Sequence, residues 1–168
     1  KGKFLIQMFE KSSLRTRISF YLAIKQLGGS ALTLRPDELH LSKGGESLSD
    51  TAKIISTYGN IFMLRTDSDK KIEDFSKNLK IPIINLLSPS SHPCQVLSDI
   101  FTIEEIKKRP ISILNICWIG DCNNVLNSLI AASVKFKFNL NIGCPKNYNP
   151  PKFVMDWVKK NKGKINIF

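Results

Sequence analysis

The segment "KFLIQMFEKSSLRTRISFYLAIKQLGG", residues 3–29, decides the fold class of this chain. Its first part, "KFLIQMF", is an apolar run of the length of a short buried strand. The part "ISFYLAIKQL", residues 18–27, is predicted to be a helix that stops at Gly28-Gly29, since glycine is favoured just after a helix. The segment therefore predicts a strand followed by a helix, with a polar run at their junction.

This polar run, "SSLRTR" at residues 12–17, combines hydroxyl groups with two guanidinium groups. Backbone N–H groups at a helix start have no intrahelical partner, and the helix dipole adds positive potential there. Together with the hydroxyl and guanidinium donors they can form a phosphate cradle. The simpler alternative is that Ser12 or Ser13 only caps the helix and that the arginines form a solvated helix face.

The composition is typical of a globular protein of one domain, or of one domain and part of another: 168 residues, 42% of them hydrophobic. The net charge of +11 comes from lysines that are scattered and mixed with acidic residues, which disfavours nucleic-acid binding. No apolar run approaches the roughly 20 residues of a membrane span. We therefore expect a cytoplasmic protein without a nucleic-acid or membrane partner.

The cysteine pattern predicts neither a disulfide framework nor a metal site. The chain has four cysteines without a CxxC pair or zinc-type spacing: Cys94, Cys117, Cys122 and Cys144. We expect buried, reduced thiols and no bound metal.

Strand and helix patterns alternate along the chain up to about residue 107. Further strands are predicted at "SALTLR" (30–35), "IFMLR" (61–65) and "IPIINLL" (81–87), and helices at "SLSDTAKIISTY" (47–58), at "KIEDFSKNL" (71–79) and after the loop "SPSSHPCQ" (88–95). Ser47 and Asp50 have the spacing of a capping box. The alternation predicts an α/β fold with a parallel sheet covered by helices on both faces, where ligands bind beyond the carboxyl ends of the strands.

The same rhythm restarts after "KKRP" at residues 107–110. Strands are predicted at "ISILNICWIG" (111–120), "FNLNIG" (138–143) and "KINIF" (164–168), and helices at "NNVLNSLIAASVKF" (123–136) and "PPKFVMDWVKKN" (150–161). We predict one domain over residues 1–107 and the beginning of a second, Rossmann-like α/β domain over residues 108–168. Because the chain starts at Lys1 and stops on a strand, we expect it to be a fragment.

Polar residues with suitable chemistry follow the predicted strands at their carboxyl ends. They are Ser13, Arg15 and Thr16 after the first strand, Arg65 at the end of the third, His92 and Gln95 after the fourth, and Asn123 and Asn124 after the first strand of the second domain. Each of them singly has a plainer interpretation as a cap, a strand terminus or a solvated surface residue. Their shared placement predicts a functional site.

Several separated blocks of the chain resemble the ornithine carbamoyltransferases, in their usual order. The blocks are "FEKSSLRTRISF", "GGESLSDTAKIIS", "MLRT", "INLLSPSSHPCQVLSDIFTIEE" and "WIGDCNNVLNSLIAASVKF". The resemblance implies transfer of the carbamoyl group from carbamoyl phosphate to the side-chain amine of L-ornithine, which gives L-citrulline and phosphate. Such a step belongs to arginine biosynthesis or to a urea-cycle-type pathway.

The resemblance also implies roles for individual residues. Carbamoyl phosphate would be bound by Ser13, Leu14, Arg15, Thr16, His40, Arg65, His92 and Gln95, and ornithine by Asn124; Arg15, His92 and Gln95 would be catalytic. In the homotrimer that the family forms, His40 would reach the site of a neighbouring subunit. No cofactor and no metal is implied.

The residue types suit this reaction. Attack of a neutral amine on a carbonyl group builds negative charge on the carbonyl oxygen and then on the departing phosphate. Arg15, Arg65 and the helix start can hold the phosphate, and Arg15, Thr16 and His92 can donate hydrogen bonds to the carbonyl oxygen. The amide oxygen of Gln95 can accept from the carbamoyl NH₂ group. Orientation and charge stabilisation would then account for the rate.

The chain departs from the family pattern at three points. Leu14 replaces a threonine and Leu86 replaces a common glycine, while the later ornithine-binding motifs have no counterpart. We expect a fragment that lacks the N-terminal helix and most of the ornithine-binding domain, and that is inactive as given.

Three other functions stay open as alternatives. Aspartate carbamoyltransferases share the cradle and a similar loop, but here Lys43 precedes two glycines, and the paired asparagines of "WIGDCNNVLNSL" favour ornithine. A non-catalytic phosphate-binding module and a nucleic-acid-binding protein are the remaining possibilities. The anabolic or catabolic direction of the reaction is left open.

Overall fold

A computed structural model describes residues 2–35 and 46–168 of the chain. In it, the segment that predicts the fold class forms strand β1, Phe4–Phe9, and helix α1, Leu14–Gln26. The helix begins one turn earlier than predicted, because Ser13 takes the extended N-cap conformation and nothing in the polar first turn breaks a helix. It ends as predicted, with Gly28 in the left-handed region at φ 77°.

Contacts divide the chain into two units, Lys1–Pro89 and Ser90–Phe168. In the first unit the described elements after α1 are β2 (Ser30–Leu34), α2 (Leu48–Tyr58), β3 (Ile61–Arg65), α3 (Asp69–Asn78) and β4 (Ile83–Leu87). The strands form a sheet in the order β2-β1-β3-β4, and every pairing is parallel. The predicted parallel α/β architecture is therefore confirmed.

The core of the first unit lies between this sheet and the pair α2 and α3. Ile6 and Met8 of β1 pack with Phe62 and Leu64 of β3 and with Phe75 of α3. The rings of Phe62 and Phe75, both fully buried, lie 5.1 Å apart between centroids. The strand order requires α1 to cross in the direction opposite to α2 and α3, so right-handed crossovers place α1 on the other face of the sheet.

The end of β3 carries an irregularity next to a predicted site residue. Leu64 pairs with Asn85, but Arg65 pairs with Leu87, so the register shifts and Leu86 is passed over. The side chain of Leu86 is fully buried. The extra residue of this bulge, Leu86, lies on β4, while Arg65 of β3 keeps its regular pairing with Phe9 of β1.

The elements of the second unit are α4 (Pro93–Lys107), β5 (Asn115–Ile119), α5 (Asn124–Phe136), β6 (Asn139–Gly143), α6 (Lys152–Lys160) and β7 (Ile165–Ile167). The strands pair in parallel in the order β5-β6-β7. The contact-based division of the chain and the predicted division after residue 107 differ by α4, which packs on α5. Within residues 2–35 and 46–168, no helix has the length and hydrophobicity to cross a membrane.

The prediction of one strand over residues 111–120 is wrong at its first part. Ile111–Ile113 form a 3₁₀ turn, and β5 begins only at Asn115. The buried Ile111 belongs to the core of the second unit, and its backbone N–H donates to the carboxylate of Glu104 on α4 at 2.6 Å. This contact with the preceding helix replaces strand pairing.

The sheet of the second unit is exposed on one face of β5. Asn115, Cys117 and Ile119 are exposed along one face of β5. With the order β5-β6-β7, both crossovers run in the same direction, so right-handed connections place α5 and α6 on the same face. On the exposed face the amide of Asn139 donates to Asn115 at 2.8 Å.

Candidate functional site

The start of α1 presents backbone donors as the sequence predicts. The first intrahelical hydrogen bond runs from Arg17 N to Ser13 O at 3.2 Å, so the N–H groups of Leu14, Arg15 and Thr16 precede the helical ladder. The first turn contains no acidic residue. The positive end of the helix dipole is therefore not neutralised by its own first turn. Leu14 and Arg15 are exposed, and Thr16 is half-buried.

The hydroxyl of Ser13 contacts Arg65 and does not cap the helix. Ser13 occupies the N-cap position without a side-chain cap bond, and Nη1 of Arg65 donates to its Oγ at 3.1 Å across 52 residues of sequence. The simpler interpretation of this side chain as an N-cap is therefore wrong. Nε of Arg65 is buried and has no hydrogen-bond partner within the described part of the chain. Two predicted phosphate ligands thus meet, and the buried Nε–H of Arg65 remains available as a donor.

A carboxylate that sequence reasoning missed lies beside this pair. Glu10 directly follows β1, and its backbone N–H donates to Arg65 O at 2.9 Å. Its carboxylate accepts a hydrogen bond from the hydroxyl of Thr66 and forms an ion pair with Lys71. The feature of the sequence that could have identified Glu10 is a charged residue directly after a predicted buried strand.

In the second unit, Ser128 connects two predicted site residues. His92 is the N-cap residue of α4, and its backbone N–H donates to Ser128 Oγ at 2.7 Å. The Ser128 hydroxyl in turn donates to the carbonyl of Asn124 at 3.0 Å, and its residue is 7% exposed. The start of α4 is thereby held against the start of α5. The sequence analysis did not identify Ser128, because nothing in the sequence distinguishes it from other serines within a helix.

Gln95 and the two asparagines have different local roles. The amide nitrogen of Gln95 donates to Asp99 one turn along α4 at 2.8 Å, which orients the amide group. Oδ1 of Asn123 accepts from the backbone N–H groups of Val125 and Leu126 at 2.9 and 3.2 Å, so Asn123 caps α5. Asn124 is the first helical residue and is half-buried.

The cysteines are free thiols, but their burial differs. Cys144 is buried as predicted, whereas the prediction is wrong for Cys117, which lies on the exposed face of β5. Burial raises the pKa of the Cys94 and Cys144 thiols above the ordinary value, and the same cause dominates for Cys122. Within the described residues, His, Cys, Asp and Glu form no cluster that could hold a metal ion.

His40 and Lys43 lie outside the described residues. The role of His40 in a neighbouring subunit therefore stays a prediction.

Comparisons with known proteins agree with this arrangement over both units. Residues 1–105 match the family model "Aspartate/ornithine carbamoyltransferase, carbamoyl-P binding domain", and residues 113–168 match "Aspartate/ornithine carbamoyltransferase, Asp/Orn binding domain". The chain is 41% identical over 167 residues to the ornithine carbamoyltransferase of Mesorhizobium japonicum, an alignment that covers 99% of this chain and 54% of that protein. The chain spans about half the length of the curated relatives it matches.

Solved structures show the same likeness. The anabolic ornithine carbamoyltransferase of Campylobacter jejuni superposes with a TM-score of 0.91 at 38% identity, covering 100% of this chain and 57% of that one. The catalytic subunit of the M. jannaschii aspartate transcarbamoylase gives a TM-score of 0.78 at 32% identity, covering 99% and 56%. Both kinds of enzyme therefore share the architecture of this chain.

Proposed function

Because the chain belongs to the aspartate/ornithine carbamoyltransferase family, we propose that the protein transfers the carbamoyl group of carbamoyl phosphate to the side-chain amine of L-ornithine. The products are L-citrulline and phosphate. The observation that carries the proposal is the guanidinium of Arg65, which reaches the hydroxyl of Ser13 at the start of α1. This pair supplies directed donors at a helix N-terminus, which is the arrangement that a phosphate group requires.

The phosphate is bound by the residues of the first unit. The N–H groups of Leu14, Arg15 and Thr16 precede the helical ladder, and the buried Nε of Arg65 is a further donor. Backbone donors replace the missing hydroxyl at Leu14, since a backbone N–H does not depend on the side chain. The guanidinium of the exposed Arg15 adds a positive charge and further donors for the phosphate.

The reaction proceeds by direct attack of the amine. The amine nitrogen forms a bond to the carbamoyl carbon, the C–O bond to phosphate breaks, and phosphate leaves with the electron pair and takes up the proton that the amine loses. Arg15, Thr16 and His92 donate to the carbonyl oxygen as charge develops on it. Gln95 orients the carbamoyl NH₂ group, and its amide is held by Asp99.

Ornithine is the acceptor that the asparagine pair favours. Asn123 is used as the cap of α5, so Asn124 is the member of the pair that contacts ornithine in this proposal. The alternative is aspartate as the acceptor, which is supported by the structural likeness to an aspartate transcarbamoylase at 32% identity. We further infer a cytoplasmic homotrimer in which His40 serves a neighbouring site, acting in arginine metabolism.

The test uses the full-length gene product. Citrulline and carbamoylaspartate are measured with carbamoyl phosphate and either ornithine or aspartate, and binding of carbamoyl phosphate is measured by calorimetry. We expect citrulline only, with binding lost in Arg65→Ala and kept in Arg109→Ala, a matched change at an exposed arginine. Carbamoylaspartate alone would establish the alternative acceptor. Phosphate binding without either product would indicate a non-catalytic module, and salt-sensitive binding of duplex DNA a nucleic-acid function.

The trimer is tested by mixing subunits. Inactive His40→Ala subunits and inactive Arg15→Ala subunits should regain activity together, because a mixed trimer can contain one intact site. Verified mixed trimers without recovered activity would show that His40 does not serve its neighbour.

A further inference from the structure

The carboxylate of Glu10 is the centre of a closed set of polar contacts between β1, β3 and α3. Its side chain is 14% exposed and that of Lys71, its ion-pair partner, 32%. The hydroxyl of Thr66 donates to the other carboxylate oxygen. Thr66 itself is fully buried, and its Oγ1 accepts from the backbone N–H of Ser68 at 3.2 Å.

The N-cap of α3 completes this set of contacts. Oγ of Ser68 accepts from the backbone N–H of Lys71 at 3.2 Å, and the side chain of Lys71 returns to Glu10. The chain between β3 and α3 is thus fixed at both its ends. Breaking the contact to the fully buried Thr66 would leave a desolvated hydroxyl without its acceptor, which holds this set in place.

Arg65 lies next to this set of polar contacts. Its carbonyl accepts from the backbone N–H of Glu10 at 2.9 Å, and the next residue, Thr66, is bound by the Glu10 side chain. On the β4 side the register shifts between Leu64 and Arg65, while on the β1 side Arg65 pairs with Phe9 in regular register. The Glu10 carboxylate adds a side-chain contact to Thr66, the residue directly after β3.

We propose that Glu10 is a positioning residue that holds the strand end at which the Arg65 guanidinium reaches Ser13 and binds phosphate. This inference rests on the proposed function for the identity of the ligand. The Glu10 side chain touches neither substrate nor reacting atoms; it acts on Arg65 through Thr66 and Lys71.

The sign of the effect separates positioning from simple electrostatics. Glu10 places a negative charge close to a site that binds an anion, so removing that charge would tighten phosphate binding if charge alone mattered. If Glu10 positions Arg65, its removal weakens binding although the site becomes more positive. Glu10→Ala and Glu10→Gln both remove the charge, but only glutamine keeps an acceptor for the Thr66 hydroxyl.

The experiment measures two readouts on the full-length gene product. Calorimetry gives the Kd of carbamoyl phosphate and of inorganic phosphate, and ¹H–¹⁵N spectra report the Nε–H signal of Arg65. We expect Glu10→Ala to raise both Kd values at least tenfold and to shift or broaden the Arg65 signal. Glu10→Gln should stay within about threefold of the wild type. Asp74→Asn, which removes the acid of the Asp74–Lys77 pair on α3, is the matched control and should change neither.

The outcomes are distinct for the two proposals. A folded Glu10→Ala variant with an unchanged Arg65 signal and equal or tighter phosphate binding overturns the positioning role. If the wild type binds neither ligand, the proposed function fails, whereas the Arg65 signal still decides whether Glu10 positions the guanidinium. Should Glu10→Ala not fold, Thr66→Val removes one hydroxyl of the set and should give the same shift and weaker binding.

Discussion

Ser128 offers the sharpest test of how the second unit holds its site residues. Its Oγ accepts from the backbone N–H of His92 at 2.7 Å and its hydroxyl donates to Asn124 O at 3.0 Å. Ser128→Ala leaves the N–H of His92 without this acceptor in a nearly closed environment, since Ser128 is 7% exposed. A donor left unsatisfied in this way costs about 1–3 kcal/mol.

Both stability and rate should report this loss. For a chain of this size, each kcal/mol lowers Tm by about 2–4 °C. Without this hydrogen bond His92 is held less firmly at the start of α4. If that raises the activation free energy by about 1.4 kcal/mol, kcat falls about tenfold. Thermal unfolding and citrulline formation of the full-length gene product measure the two quantities.

The matched control is Ser133→Ala on the same helix. Ser133 is 1% exposed, and its hydroxyl donates only within the helix, to Ile130 O at 2.8 Å. Its removal leaves no backbone N–H unpaired, so we expect a change in stability of about 0.5 kcal/mol or less and an unchanged kcat. Equal Tm and equal kcat in the two variants would refute the positioning role of Ser128.

Three further predictions concern the remaining site and the thiols. Arg15→Ala should lower kcat/KM for carbamoyl phosphate by about 10²–10³, the effect typical of one lost donor at a developing charge; a loss below tenfold in steady-state kinetics would contradict its role. His92→Asn keeps a side-chain donor and should retain more kcat than His92→Ala, whereas equal loss would favour a packing role. Timed alkylation followed by mass spectrometry should modify the exposed Cys117 first at pH 7. Cys94 and Cys144 should react only as the pH rises above the ordinary thiol range, because burial raises their pKa. Since the unfolded thiols then ionise first, the free energy of unfolding should fall over the same pH range.

Local patterns predicted the individual elements well where neighbours in sequence decide the structure. The strand "IFMLR" was predicted with the bounds that β3 has. Ser47 also caps α2 as its spacing to Asp50 suggests, since Ser47 Oγ accepts from the backbone N–H of Asp50 at 3.1 Å and its hydroxyl donates to the Asp50 carboxylate at 2.8 Å. The strand and the helix cap each depend on residues that are close in sequence, within one strand or one helical turn. Local patterns of this kind can be recognised from the sequence alone.

The candidate site was predicted in its residue types but not in its contacts. The sequence placed Ser13 and Arg65 at the carboxyl ends of strands, and the structure joins them at 3.1 Å. It gave no indication that the hydroxyl of Ser13 leaves the helix cap for a guanidinium. That contact joins residues 52 positions apart, which no local pattern of the sequence shows.

The sequence by itself determined the alternation of strands and helices, the family resemblance and the chemistry available at the strand ends. Only the tertiary structure decided the strand order, the exposed face of β5 and the contacts of Glu10 and Ser128. The physical reason is the distance along the sequence between the interacting residues. Hydrophobic periodicity and helix caps involve residues a few positions apart, whereas Glu10 and Thr66 are 56 residues apart and His92 and Ser128 are 36 apart. Glu10 and Thr66 meet only because the paired strands β1 and β3 end at the same edge of a sheet, and His92 and Ser128 meet only because α4 packs on α5.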